Sequence, residues 1–469
     1  MKSGLFQSPR RFSGPNRWLA VLLVVSFSLA AWKAFNQINK QESATHFAIA
    51  PRTALPVAAD TNSNSPLLTA PLAPLPEDAF RFDAQFASTA PGRAVHAASL
   101  VELQNGDMRA VWFSGSREGA ADVTIQTAVL DHSTSRWGAE TTVFDRHQIE
   151  RGLWRYVKKL GNPVIARAPD GSLMLWMVNV SLGGWAGSAI TWSRSRDDGA
   201  SWSLPQRLVT SPFLNISTLV KGAPVAYANG QMGLPVYHEF ISKFAELLRL
   251  DGQGKVVDKV RIPASQTSLQ PVVLVTGPDT AQVYMRSGHA TALMSSSTED
   301  AGKTWSSTHP TAWPNPDSAL AGVVLDTGEL WLALNPTTNN RETLALLATK
   351  RDANFEGMTG VAKWVVESFE PLKNRLSIAD YEAALGKELL ERGAGENDVK
   401  AYVASARRQL CGVESCSREY SYPYLLQSRD GYVHLVYTWQ RSRIKHIRFD
   451  PRQPSMAAKK ATPHAAPAN

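Results

Sequence analysis

The chain has 469 residues, 43% of them hydrophobic and 19% charged, with 14 Trp, 31 Gly and 28 Pro. This composition excludes a disordered chain and a cysteine-stapled mini-protein, and so little charge with so much Gly, Pro and Trp argues for short strands and turns over long charged helices. The formal charge of +8 is spread without Lys/Arg runs, which speaks against a nucleic-acid partner and leaves solvated surface charge or an acidic ligand.

The first segment, 1–17, is a basic lead carrying Lys2, Arg10, Arg11 and Arg17. An uncharged run follows over 18–32, with Trp18 and Trp32 at its ends and Lys33 closing it. The pattern predicts either a transmembrane anchor over 18–35 or a signal peptide cut near Ala30, and on both readings the body is periplasmic or extracellular, membrane-tethered or secreted. Segment 36–80, with Pro51, Pro56, Pro66, Pro71, Pro74 and Pro76, has the composition of an extended linker, and 451–469 that of a disordered tail. The folded body is therefore expected over 81–450.

Within that body one pattern recurs: an apolar strand, a tight turn, and a second strand rich in aromatic or alternating residues. The turns are Asn105-Gly106, Asp170-Gly171, Asn229-Gly230, Gly277-Pro278-Asp279, Asp326-Thr327-Gly328 and Asp430-Gly431. Such dipeptides between strand-like runs are hairpin signals, and six of them at repeat-sized spacings predict an all-β, six-bladed β-propeller, one blade per repeat. The last interval is longer and holds a helical pattern at about 376–410, marked by Tyr381, Leu385, Leu389, Leu390, Val399, Tyr402 and Val403. Cys411 and Cys416 follow it; they form a local disulfide if the chain is exported and two inert thiols if it is not. The sequence holds no metal-ligand constellation, phosphate loop or dinucleotide fingerprint, so no metal and no cofactor is expected.

Two segments share one motif. Ser195, Asp197, Gly199, Ser201 and Trp202 are matched in spacing by Thr298, Asp300, Gly302, Thr304 and Trp305. The pattern describes a self-contained turn: the Asp accepts backbone N–H groups, the Gly takes a positive φ and the Trp packs under the sheet. This is the Asp-box. With it, the ending Ser421-Tyr422-Pro423-Tyr424 through Asp430-Gly431 to Trp439 and His446 resembles the bacterial sialidase-like proteins with BNR repeats, over most of 90–450.

That resemblance implies a retaining, exo-acting glycoside hydrolase for an acidic sugar, either sialic-acid-like or a uronic acid of a glycan or exopolysaccharide. Sialidases hold the sugar carboxylate with three arginines and use an Asp acid/base and a Tyr nucleophile activated by a Glu. Matched by position, Asp122 is the expected acid, with Arg117 beside it. Arg286 and Arg341 correspond to two clamp arginines, and Tyr422 to the nucleophile. The chain departs from the family twice. His96 stands where the first clamp arginine belongs, and a histidine is fully charged only below about pH 6.5. Gln270 stands where the activating Glu belongs, and an amide orients a phenol without taking its proton; Glu239 is the residue that could substitute. Two other readings stay open: a non-catalytic carbohydrate-binding propeller, and a polysaccharide lyase in which Tyr422 and His96 act as acid and base on a uronate.

Overall fold

Each turn named above joins two antiparallel strands in the computed structural model, which describes residues 18–19, 21–30, 46–49 and 82–451, except 212–214, 290, 351–352, 369–375 and 392. The hairpins are the inner halves of six separate sheets. The first blade runs Ala94–Glu102, Met108–Gly115, Thr124–Asp131, Arg136–Trp137, with Thr141–Phe144 also on its third strand. The second runs Lys159–Arg167, Leu173–Val180, Ser188–Ser195, Gln206–Arg207. In the third the innermost strand is broken into Leu219–Val220 and Val225–Ala226, both on Met232–His238, followed by Phe244–Leu250 and Val256–Arg261. The fourth is Ser268–Val275, Ala281–Ser287, Ala292–Thr298, His309–Pro314, and the fifth Ala321–Val324, Leu330–Leu334, Leu344–Thr349, Ala362–Glu367. The sixth combines Tyr420–Gln427, Val433–Trp439 and Arg443–Phe449 with Phe82–Phe86, so the earliest strand of the body closes the last blade. The expected six-bladed propeller is the fold.

A four-stranded sheet with both faces covered needs apolar residues on both sides, and the inner strands are buried almost throughout. The apolar clusters fall one at each blade junction. Phe113 and Leu175 lie between the first and second blades, Trp176 and Leu248 between the second and third, and Tyr227 and Val283 between the third and fourth. Tyr284 and Leu332, Trp331 and Leu435, and Val436 and Trp112 complete the ring.

Both Asp-boxes adopt the expected turn. Asp197 accepts from the Ser201 N–H at 2.9 Å and hydroxyl at 2.6 Å; Asp300 accepts from Thr304 at 2.8 and 2.6 Å. Gly199 and Gly302 have φ of +88° and +82°. Each box links the third and fourth strands of its blade.

The structure departs from the expected organisation in three places. The helical insertion is two helices, α2 (Ile378–Glu391) and α3 (Glu396–Leu410), separated where Gly393 takes φ +80° and Gly395 caps α3. A Cys411–Cys416 disulfide joins the end of α3 to the short strand Ser415–Cys416, which pairs with Leu376–Ser377 at the start of the insertion. An unexpected helix, α1 (Arg146–Leu153), opens on a reciprocal capping box between Asp145 and Gln148. Residues 46–49, inside the expected linker, dock on the body: Phe47 is buried, stacks on Tyr227 at 5.0 Å, and its N–H donates to the Pro278 carbonyl. A large ring that can enter an existing apolar cluster overrides the composition of its surroundings. The rest of 36–80, and the tail beyond 451, lie outside the described residues.

Residues 18–19 and 21–30 form an exposed helix, considered by itself. Among the described residues no helix is long and apolar enough to cross a membrane. The expected anchor over 18–35 therefore gains no support, and residues 20 and 31–35 of it lie outside the described set.

Candidate functional site

One backbone device recurs in every blade. At or just before its innermost strand sits a non-glycine residue with positive φ: Ala97, Asn162, Ser217, Gln270, Asp317 and Tyr422, with Thr267 a second one just ahead of the fourth blade's strand. Where the strand is already paired, the device appears as a bulge, with register shifts between His96 and Ser99, Gly161 and Val164, Leu269 and Val272, and Ser421 and Tyr424. A bulge swings a side chain out of the sheet alternation and re-aims it. All six lie at one end of the ring, opposite the hairpin turns, and Asn162, Gln270, Asp317 and Tyr422 meet around a shared polar centre.

At that centre stands the half-buried Tyr422. Its hydroxyl accepts from Gln270 Nε2 at 3.3 Å and from Arg286 Nη1 at 3.5 Å. Gln270 Oε1 in turn accepts from Arg286 Nη1 at 3.1 Å, and Gln270 Nε2 also reaches the Tyr237 hydroxyl at 3.4 Å, which Asn162 contacts at 3.1 Å. Burial pushes the Tyr237 phenol well above its ordinary range, so it stays protonated. Among the described residues no carboxylate hydrogen-bonds the Tyr422 hydroxyl; its oxygen faces N–H donors.

The arginines form one continuous network. Arg286 Nε donates to Asp317 at 2.6 Å, and Arg341 Nη2 donates to the Asp317 carbonyl at 2.8 Å. Arg341 Nη1 pairs with Glu419 at 3.2 Å, and the other oxygen of Glu419 takes Arg441 Nε at 2.7 Å. Arg441 then reaches Glu118 at 3.5 Å. Burial by itself would raise the Glu419 carboxyl, but Arg441 and Arg341 override it and bring it down to about 2. Three guanidinium groups thus share two fixed acidic anchors, and Arg286, Arg341 and Arg441 each stay partly exposed.

Of the residues expected from sequence, Tyr422, Gln270, Arg286 and Arg341 are brought together directly. His96 is buried beneath them, its ring 4.1 Å from that of Tyr422 and its Nδ1 without a hydrogen-bond partner among the described residues. Burial first, then Arg441, Arg341 and Lys221, hold it well below its usual range, so it is neutral and offers no charge to an anion. Glu239 lies at the rim, near enough for Arg286 and Asp317 to act on it; burial, the largest influence, raises its carboxyl. Asp122 is exposed, and both its oxygens close its own loop on Ser116 N and Oγ at 2.9 Å. Arg117 is exposed, and its guanidinium donates to the Glu118 carbonyl at 3.5 Å.

Sequence reasoning missed Arg441, Glu419, Asp317, Glu118 and Lys221. Arg441 lies in the last hairpin turn of the sixth blade, at φ +52°, and its carbonyl accepts from Val95, the residue before His96. It therefore brings a guanidinium beside the strand that carries His96. Lys221 occupies the break in the third blade's inner strand, fully buried, and donates to the Pro423 carbonyl at 3.0 Å across the ring axis. Burial alone brings its amine down to about 7.

Among known proteins, the BNR repeat-like domain family matches residues 106–435. The chain belongs to that family. By structural comparison the propeller fold of this BNR repeat-like chain is similar to that of sialidases. It is similar to the Hadza microbial sialidase Hz136 (TM-score 0.56, 14% identity), covering 76% of this chain and 66% of that one. It is also similar to the leech intramolecular trans-sialidase (TM-score 0.54, 12% identity, 78% of this chain and 69% of that one). A protein of unknown function from Dyadobacter fermentans DSM 18053 is matched over 78% of this chain and 98% of its own, at TM-score 0.55 and 11% identity. At such identities the likeness concerns fold. No curated protein sequence matches the chain.

Proposed function

We propose that this BNR repeat-like propeller binds an acidic sugar through its carboxylate and acts on the adjoining glycosidic bond as a glycoside hydrolase. The observation that carries this reading is the set of three guanidinium groups, Arg286, Arg341 and Arg441, fixed by Asp317 and Glu419 beside the Tyr422 hydroxyl. Planar guanidinium groups held in place match a carboxylate bidentately without losing side-chain freedom on binding. Arg441 takes the place that the sequence assigned to His96.

In this reading the Tyr422 oxygen attacks the anomeric carbon as its own proton passes to water and the bond to the leaving oxygen breaks; a second water then cleaves the Tyr422–sugar bond and returns a proton to the phenol. Glu239, whose carboxyl burial keeps protonated to higher pH than usual, gives its proton to that oxygen. Asp122 serves the loop and not the acid step. The donors on Tyr422, Gln270 and Arg286, stabilise the phenolate once formed. The body acts outside the cytoplasm, held or delivered by segment 18–35, and the Cys411–Cys416 bond supports an oxidising compartment.

A second reading, a non-catalytic carbohydrate-binding propeller, is favoured by one observation: among the described residues Gln270, and no carboxylate, contacts the Tyr422 oxygen. One screen separates the two. The soluble body is offered sialosides and uronic-acid glycans, and release of sugar is measured beside binding. Tyr422→Phe should abolish release and leave binding within a few-fold. Arg341→Ala should weaken binding of any acidic member by about 2 kcal/mol, the loss of a charged hydrogen bond. Unchanged affinity in Arg341→Ala would sink the carboxylate reading, and binding without turnover in the unaltered protein would leave the lectin-like one.

A further inference from the structure

Beside the cationic centre, on the second and third blades, lies a surface of different character. Trp185 is half-exposed on the loop between Leu173–Val180 and Ser188–Ser195, and Lys159 Nζ stands 3.9 Å from its ring centre. The ring lies against Gly161 so closely that a Cβ there would come within 2.7 Å of it. Only glycine at 161 therefore permits this seat. The next residue, Asn162, already belongs to the centre through its bond to Tyr237.

A loop of the third blade lies next to it. The Ser188 hydroxyl donates to the Thr218 carbonyl and the Thr218 N–H to the Ser188 carbonyl, both at 3.4 Å, and the Ser217 hydroxyl accepts from the Glu239 N–H at 2.8 Å. This chain of contacts sets the Trp185 loop beside the loop that begins at Glu239. On the two loops Leu182, Phe240 and Ile241 are 83%, 58% and 91% exposed. Charges of Glu118 and Glu239 reach Lys159 from the neighbouring blades. An aromatic ring, exposed apolar side chains and hydrogen-bonding groups of both signs suit one ligand class well: a pyranose, with an apolar C–H face and a rim of hydroxyls.

We propose that Trp185 and Lys159, with the Phe240–Ile241 loop beside them, form a subsite for an uncharged pyranose, the sugar joined to the acidic residue that the arginines hold. The subsite rests on the acidic-sugar reading and is continuous with it through Asn162 and Glu239. It makes the preferred ligand an oligosaccharide or polymer end and not a free sugar acid.

Calorimetric titration tests this with two matched pairs: N-acetylneuraminate against 3′-sialyllactose, and glucuronate against a glucuronyl-galactose disaccharide. The unaltered protein should bind the longer member of one pair about tenfold or more tightly than the sugar acid alone. Trp185→Ala should remove that advantage while leaving the monosaccharide affinity in place, and Trp185→Phe should restore part of it. Arg341→Ala should weaken both members. Equal affinities within both pairs, or equal loss on both members in Trp185→Ala, would overturn the subsite alone. Failure of every sugar acid and conjugate to bind, or indifference to Arg341→Ala, would overturn the acidic-sugar reading and the subsite with it.

Discussion

Lys221 is an expensive residue to keep. Its ammonium would sit in the axis of the ring with no carboxylate within ion-pair distance among the described residues, and burial brings its amine from 10.5 to about 7. The unfolded chain keeps that proton up to about pH 10.5, whereas the folded chain has released it above about 7. The native state is therefore penalised most fully below pH 7 by this group, by roughly 4 to 5 kcal/mol, and the penalty fades as the pH rises from 7 to 10.5. Lys221→Met should stabilise the fold near neutral pH by about 2 to 4 kcal/mol, because an isolated buried charge is replaced by an apolar chain of similar reach. Urea unfolding across pH 7 to 10.5 checks this: the rise of stability with pH that this group causes should be lost in the variant. What Lys221 gives in return is a donor for the Pro423 carbonyl, which the bulge at Tyr422 withdraws from the strand ladder.

The same scale shows where sequence reading stops. Tyr422, Gln270, Arg286 and Arg341 were legible because each sits in a short stretch whose neighbours carry the resemblance. Arg441 was not, because its place beside them depends on the last turn of the sixth blade lying against Val95, a contact that no local pattern encodes. The left-handed residues were equally hidden. Asn and Asp tolerate positive φ, but Ala97, Gln270 and Tyr422 are not residue types that announce it, and only the packed ring over-determines their backbone.

At the level of elements, local chemistry decided what could be read. The Asp-boxes carry their own hydrogen bonds, so eight residues suffice to specify each. Asp197 is held at about 2 by Ser201 and Ser195, close to the donors it organises. Asp197→Ala should lower stability by about 1 to 2 kcal/mol, measured by thermal or urea unfolding, and leave sugar binding unchanged. The insertion was legible as helix and illegible in purpose. Its helices reach the site from outside: the Tyr381 hydroxyl donates to Gln440 at 3.2 Å, and Gln409 Nε2 donates to the Arg441 carbonyl at 3.1 Å. Two consecutive left-handed residues, Gln440 and Arg441, are thereby held in the conformation that aims a guanidinium at Glu419.

For the whole molecule, six junctions of similar apolar character explain why the fold was the most legible property: the same turn and strand pattern had to be written six times. Acid sensitivity belongs to this scale too. At the junction of the sixth and first blades His434 and His446 are buried and bonded to each other at 3.0 Å, with Trp137 donating to His446 at 3.3 Å. Burial lowers His434 to about 4, and His446 well below its usual range. The unfolded chain protonates these rings near pH 6.5, so their contribution is complete above that pH and is lost as the pH falls from 6.5 towards 4, by on the order of 3 kcal/mol. Denaturation midpoints measured between pH 7 and 4 should fall accordingly, and His434→Gln should flatten the decline.

The closing strand has a mechanical corollary. Phe82 lies opposite Phe449 and Phe86 opposite Lys445, so the two chain flanks leave the ladder at the same end. Tension applied between those flanks would load the ladder one hydrogen bond at a time, as a zipper and not in shear. The ring would then open at its seam under modest force while the other five blades stay folded, and a pulling experiment should record a short early extension before the main rupture.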